Sequence, residues 1–209
     1  MELPNSQQPR PRATSFGRSG GTTIGFATVQ VALLRGAHVI ATAGETYAER
    51  LRAMGAKVTT YGEGMAERIL KLAEGPVDLA LDTAPHAADP EFIRKLIGGT
   101  VNAAHATAPI TGALPELVKA VGGDVRRVVT MSDGKSAARL GVRTSFDLIR
   151  ESAKNLPPPH DALGEFVKRA AEGTFSVPVA RTFALEEWRR ALDMSLTQRA
   201  GGKLVLLLG

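Results

Sequence analysis

Glycine and threonine crowd into SGGTTIGF, Ser19–Phe26, the stretch of this chain best suited to hold an anion. Small residues at the start of a helix let backbone N–H groups approach a phosphate closely, and the helix dipole favours the negative charge. Gly20, Gly21, Thr22, Thr23, Ile24 and Gly25 are therefore the candidate cradle for a pyrophosphate. The spacing departs from G-x-G-x-x-G: counted back from Gly25, Gly20 is in place, but Thr22 stands where the middle glycine belongs. Thr22 and Thr23 each add a Cβ and a hydroxyl beside the phosphate path. The hydroxyl could donate to phosphate, or the methyl could block it. A glycine-rich helix start that binds nothing fits the same residues.

Other chemistry is sparser. His38, His86, His105 and His160 form no H-x-x-x-H pair, and nothing in their spacing fixes a ligand set, so no metal is expected. The absence of cysteine excludes disulfides and thiolate zinc ligands. No G-x-S-x-G elbow supports a serine hydrolase. His86, His105 and Asp133 stay as candidate acid–base or orienting residues because the elements around them should bring them to one mouth.

Those elements read as an α/β fold, a Rossmann-type doubly wound parallel sheet with a short C-terminal α/β appendage. Ile24, Ala27, Val31 and Leu34 recur at helical spacing after the Gly/Thr turn, and Ala37–Ala43 is a short apolar run like a buried strand. A strand must precede the turn in the middle of such a sheet, and only Arg12–Phe16 is available. RATSF lacks a Val/Ile run, so either it pairs as a short central strand or something else fills the gap. The short strand is favoured, because an open slot would leave backbone groups unpaired in the core.

Further along, helices are expected at Glu45–Met54, Met65–Ala73, Pro90–Ile97 and Ala113–Val121, and within Leu140–Lys154. Strands are expected at Lys57–Tyr61, Val77–Asp82, Thr100–His105 and Val125–Met131. Asp82, Thr83 and His86, then Asn102 and His105, then Ser132 and Asp133, would all emerge at the edge where open α/β sheets bind ligands. The triple proline Pro157–Pro159 is a joint that no helix crosses. Beyond it come a helix at Asp161–Glu172, a strand at Ser176–Phe183, a helix at Leu185–Ser195 and a strand at Lys203–Leu208. The expected division is a flexible arm at 1–11, a nucleotide-binding-like domain at 12–156 and a C-terminal segment at 157–209.

TVQVALLRGAHVIATAGETYAERLRAMGAKVTTY, then VDLALDTAP, then FALEEWRRALDMSLTQRAGGKLVLLL resemble the medium-chain dehydrogenase/reductase superfamily, and within it the zinc-free NADPH:quinone oxidoreductases. The likeness runs in order over about residues 19–209. It implies a Rossmann domain followed by that superfamily's C-terminal segment. The VD-x-x-x-DT signature is matched by Val77, Asp78, Asp82 and Thr83. Full-length members carry a GroES-like barrel first, and only Met1–Arg18 precedes the domain here, so a chain lacking that catalytic barrel is expected. The resemblance also implies a 2′-phosphate pocket near the second strand's tip, Thr42-Ala43-Gly44. Tyr61 matches a tyrosine used near the adenosine, and Tyr47 stands where the family's lysine does, so Arg50 would supply the charge. NADPH is favoured over NADH. The bland alternative is that Tyr47, Arg50 and Tyr61 are ordinary amphipathic surface residues.

Composition bounds the partners. Hydrophobic residues at 44% and charged residues at 22% of 209 fit a soluble globular chain with a sizeable core. The net charge of +5 and pI near 9.8 are spread along helices beside acidic neighbours, and aromatic residues are only 5%, which argues against nucleic acid. No run has the apolar length of a membrane span and Met1–Arg18 is no signal peptide, so a cytoplasmic location is expected. SVPVARTF and KLVLLL are apolar strands whose edges need cover, by a homodimer or a partner chain.

The first functional reading is an NADPH-dependent, zinc-independent oxidoreductase acting on a small molecule, a quinone or enone. The second is a cofactor-independent isomerase, lyase or cyclase that uses the vacated nucleotide pocket. The third is a non-catalytic, truncated relative.

Overall fold

The computed structural model describes residues 13–16, 23–83, 113–131, 133–152, 160–197 and 200–209. Six parallel strands form one sheet in the order β3-β2-β1-β4-β5-β6, where β1 is Ala13–Phe16, β2 Ile40–Thr42, β3 Lys57–Thr59, β4 Leu79–Asp82, β5 Val128–Thr130 and β6 Arg143–Thr144. The short central strand is there. Thr14 and Ser15 of β1 register with Ile40 and Ala41 of β2, and Ala13 to Phe16 register with Leu79 to Asp82 of β4.

Helices α1 (Thr23–Leu34), α2 (Glu45–Ala53), α3 (Met65–Ala73), α4 (Ala113–Ala120) and α5 (Gly134–Leu140) build two cores on the sheet. Side chains of neighbouring strand residues point to opposite faces, and β2 divides that way. Ile40 joins the core made by Met65 and Ile69 of α3 with Leu114 and Leu117 of α4, whereas Ala41 joins the core made by Phe26, Val29, Tyr47 and Leu51 of α1 and α2.

The face of α1 is not the one its spacing predicts. Gly25, Phe26, Val29 and Gln30 are buried, while Ile24 is 47% and Leu34 41% exposed. TIGFATVQVALL is apolar almost all round, so periodicity cannot choose its buried side, and packing against β2 and α2 decides instead. Gln30 is buried because it is used: its Nε2 donates to the Ser176 carbonyl at 2.7 Å, and its Oε1 accepts from the Ser176 N–H at 3.0 Å.

Several boundaries also differ. The strand expected at Val125–Met131 begins as the 3-10 turn Val125–Arg127 and is extended only over Val128–Thr130. Leu140–Lys154 resolves into the end of α5, the edge strand β6 and α6 (Ser145–Ser152). The helix expected at Pro90–Ile97 and the strand expected at Thr100–His105 lie outside the described residues, and β4 is paired on both sides, by β1 and by β5.

The C-terminal appendage comprises α7 (His160–Ala171), α8 (Trp188–Leu196) and a separate two-stranded parallel sheet of β7 (Val179–Ala184) and β8 (Lys203–Leu207). The two strands meet where Lys203 N–H donates to the Pro178 carbonyl at 2.7 Å. A Cβ on Gly202 would sit 2.6 Å from that same carbonyl oxygen, so a side chain there forces the strands apart. Among the described residues no helix is long and apolar enough to cross a membrane.

Glu116 of α4 ties the two helices of one core together. Its Oε2 accepts from the Ala66 N–H of α3 at 3.0 Å, and its Oε1 accepts from Lys119 Nζ at 2.7 Å. The amide bond first, and Lys119 second, hold its carboxyl below the ordinary value. A depressed folded-state pKa gives stability that is present above the unfolded value and lost as pH falls through the folded one. The stability difference between wild type and Glu116→Gln, measured by urea unfolding across a pH series, should therefore shrink as pH drops below about 4.3. A difference that stays constant through that window would remove the assignment.

Candidate functional site at the carboxyl edge of the sheet

All six strands run the same way, so they end on one edge, and the chain order makes one place on that edge special. From β1 the chain crosses through α1 to β2 on one side; from β3 it crosses through α3 to β4 on the other. The connections therefore part between β1 and β4, which leaves the crevice where ligands of open α/β sheets sit.

A buried hydrogen-bonded chain borders that crevice. Thr130, the last residue of β5, donates from Oγ1 to Asp82 Oδ2 at 2.9 Å and accepts from the Asp133 N–H at 3.1 Å. Asp133 Oδ1 accepts from the Ser136 N–H at 2.9 Å and so caps α5. Thr130 is fully enclosed and Asp82 nearly so. The motif residue Asp82 is thus tied to the end of the neighbouring strand, and Asp133, a candidate acid–base residue, uses one carboxylate oxygen as a helix cap.

Thr83 differs from this chain. It is buried, and among the described residues its Oγ1 has no hydrogen-bond partner. It follows Asp82, which registers with Phe16 at the last β1–β4 pair, so it stands at the mouth of the crevice.

On the other side lies the tip of β2. Thr42 is fully buried, whereas Gly44 is exposed, extended (φ −74°, ψ 168°), and has open space where a Cβ would project. That bare N-cap of α2 leaves room for a group to approach the backbone. Tyr47 is not a surface residue. It is 8% exposed and packs edge-on against Phe26, with ring centroids 6.4 Å apart, and burial raises its phenol pKa more than Arg50 lowers it. Arg50 is exposed and lays its guanidinium 5.1 Å from the Phe26 ring centroid. Tyr61, just past β3 on the same edge, is 41% exposed. Thr23 and Ile24 open α1, and Gly25 is buried in its first turn.

The structure thus gathers Thr23, Ile24, Gly25, Thr42, Gly44, Tyr61, Thr83 and Asp133 along one edge, with Tyr47 and Arg50 behind it on α2. Gly20, Gly21, Thr22, His86 and His105 lie outside the described residues. His38 is at the opposite edge, beside a cavity of about 330 Å³ that Lys57 and Glu74 also line. Thr130 is the functional-edge residue that reading the sequence missed. Its only signal is a hydroxyl on the last residue of an apolar strand, three places before a helix-capping Asp.

A family profile described as zinc-binding dehydrogenase matches residues 54–206. The chain belongs to that family. Solved structures with the same fold include an NAD-dependent alcohol dehydrogenase (TM-score 0.58, 21% identity, covering 96% of this chain and 52% of that one). They also include an alcohol dehydrogenase superfamily protein from Novosphingobium aromaticivorans (0.62, 21%, 98% and 58%) and the CurK enoyl reductase (0.58, 22%, 97% and 56%). At these identities the likeness is one of fold, the Rossmann-type domain of the medium-chain dehydrogenase/reductase superfamily, and the chain spans little more than half the length of each. No curated protein sequence matches it. The chain has no cysteine to offer as a thiolate ligand, and among the described residues no three His, Asp or Glu side chains gather as ligands. The orphaned Thr83 hydroxyl and the open Gly44 backbone do fit a polar organic cofactor lying across the edge.

Thr130→Val keeps the side-chain shape while removing the hydrogen bonds that its Oγ1 makes to Asp82 and to the Asp133 N–H. It should lower unfolding free energy by about 1–3 kcal/mol, read by urea denaturation, since the Asp82 carboxylate loses a donor inside the fold. Stability equal to wild type would mean that Asp82 does not depend on Thr130.

Proposed function

We propose that this chain is the nucleotide-binding part of a nicotinamide-dependent, zinc-independent oxidoreductase that uses NADPH to reduce a quinone or enone. The observation that carries this reading is the parallel order β3-β2-β1-β4-β5-β6, whose switch point between β1 and β4 lies beside the start of α1. The cofactor supplies the hydride, and the protein supplies binding, orientation and exclusion of water. Thr23 to Gly25, at the start of α1, lie on the pyrophosphate side, and Thr42, Gly44 and Tyr61 flank the adenosine side. Arg50 is the cation for a 2′-phosphate: exposed on α2 and lying over the Phe26 ring, it can exchange that contact for a phosphate.

The second sheet supports a partner. Among the described residues β7 pairs only with β8, and Val179, Leu207 and Leu208 are 54%, 55% and 79% exposed. Parallel strands ordinarily lie buried on both faces, and apolar edges invite pairing. A homodimer or a partner chain covers these strands. A monodisperse monomer in solution scattering would count against it.

Titrating NADPH and NADH while following thermal or chemical unfolding tests the cofactor. At 100 times its dissociation constant the bound dinucleotide should add about 2.7 kcal/mol. Arg50→Ala should weaken NADPH about five- to thirty-fold and leave NADH nearly unchanged, as expected for loss of a charge-assisted bond. No stabilisation by either dinucleotide would remove the redox reading and leave a cofactor-independent use of the crevice.

A further inference from the structure

Buried hydroxyls in folded proteins are almost always hydrogen-bonded, and an unpaired one demands a reason. Thr83 is 5% exposed and, among the described residues, its Oγ1 has no partner, although Thr130 and Asp82 nearby are bonded to one another. The orphan does not sit at random. The last register pair across the switch point is Phe16 with Asp82, and Thr83 is the first residue after β4, on the lip of the crevice. Burying a donor without compensation destabilises the fold, whereas a valine of the same shape would fill the same space without that cost. We propose that the Thr83 hydroxyl is a ligand contact: it completes its hydrogen bonding on a sugar–phosphate oxygen of the dinucleotide held at the switch point, and it helps fix where that ligand crosses from the β2 side to the β4 side.

This inference rests on the cofactor reading above and goes further in naming the atom and the trade it makes. A hydroxyl kept for a ligand and one kept for the fold behave oppositely when removed. In the ligand role, Thr83→Val leaves the unliganded protein as stable as wild type or more so, and weakens binding. In the structural role, the same change lowers stability and leaves binding alone.

The test measures the unfolding midpoint without ligand and the NADPH dissociation constant by calorimetry, for wild type, Thr83→Val and Thr83→Ser. The expected result is an unfolding midpoint for the valine variant at or above that of wild type, with NADPH bound about five- to thirty-fold more weakly. The serine variant, which keeps the hydroxyl, should recover most of that affinity. Equal NADPH affinity in wild type and Thr83→Val would overturn the proposal while leaving the cofactor reading intact. A lowered midpoint with unchanged affinity would overturn it too, by giving the hydroxyl an internal role. If wild type binds neither NADPH nor NADH, both the cofactor reading and this contact fall together.

Discussion

Strand β1 joins the two halves of the sheet. In the order β3-β2-β1-β4-β5-β6, every sheet hydrogen bond that links the first pair of strands to the last three passes through Ala13–Phe16. The residues do not recommend themselves as a central strand: ATSF has no Val or Ile. Their conformation is imposed by position, since neighbours on both sides present backbone donors and acceptors that would otherwise be buried without partners. Strand propensity is mostly a record of fit to neighbours, and here the neighbours are fixed by two cores, one on each face. The same placement creates the crevice, because the edge where β1 ends beside β4 is where the two halves of the chain part.

The C-terminal appendage is attached through a different and more local device. A buried glutamine amide can pair with a peptide group as another peptide would: Gln30 donates to the Ser176 carbonyl and accepts from the Ser176 N–H, while its Nε2 also donates to the Phe26 carbonyl at 3.1 Å. Arg35 near the other end of α1 reaches Glu165 of α7 at 3.1 Å, an exposed pair of small energetic weight that fixes direction more than stability. Helix α1 therefore has two duties: its start opens toward the crevice, and its flank anchors the segment that leads into β7.

How much of this could be read beforehand follows from where the information lies. Helix α3 was legible to the residue because MAERILKLA has one apolar face, and because Gly64 and Gly75 bracket it with positive φ. Strands β2 to β5 were legible from short apolar runs between turn residues, whereas β6 lies in a stretch where only a helix was expected. The buried side of α1 was not, because a helix that is apolar all round leaves the choice to its surroundings, and Gln30 would have looked like its solvent face. The hydrogen bond between Thr130 and Asp82 joins residues far apart in sequence, and the register of β4 on β5 makes it: Asp82 stands opposite Thr130. Nothing in either strand alone announces that pairing. The orphaned state of Thr83 is less legible still, since being without a partner is a property of the whole surrounding structure.

The two edges of the sheet are electrostatically unlike, and this decides between two sites that geometry alone would leave equal. The cavity of about 330 Å³ near His38 has an apolar lining from Leu33, Val39, Ile40 and Leu72, and its size is that of a small ligand. It lies where α1, α2 and α3 end, however, and helix carboxyl ends carry partial negative charge. Lys57 already answers part of it by donating to the Leu72 carbonyl at 2.7 Å. A pyrophosphate there would face carbonyl oxygens and the Glu74 carboxylate. At the opposite edge the same helices begin, so N–H groups point outward, the N-cap of α2 is a bare glycine, and Arg50 stands on the next turns of that helix. The direction of the helices therefore disfavours an anion at the cavity near His38 and favours one at the opposite edge.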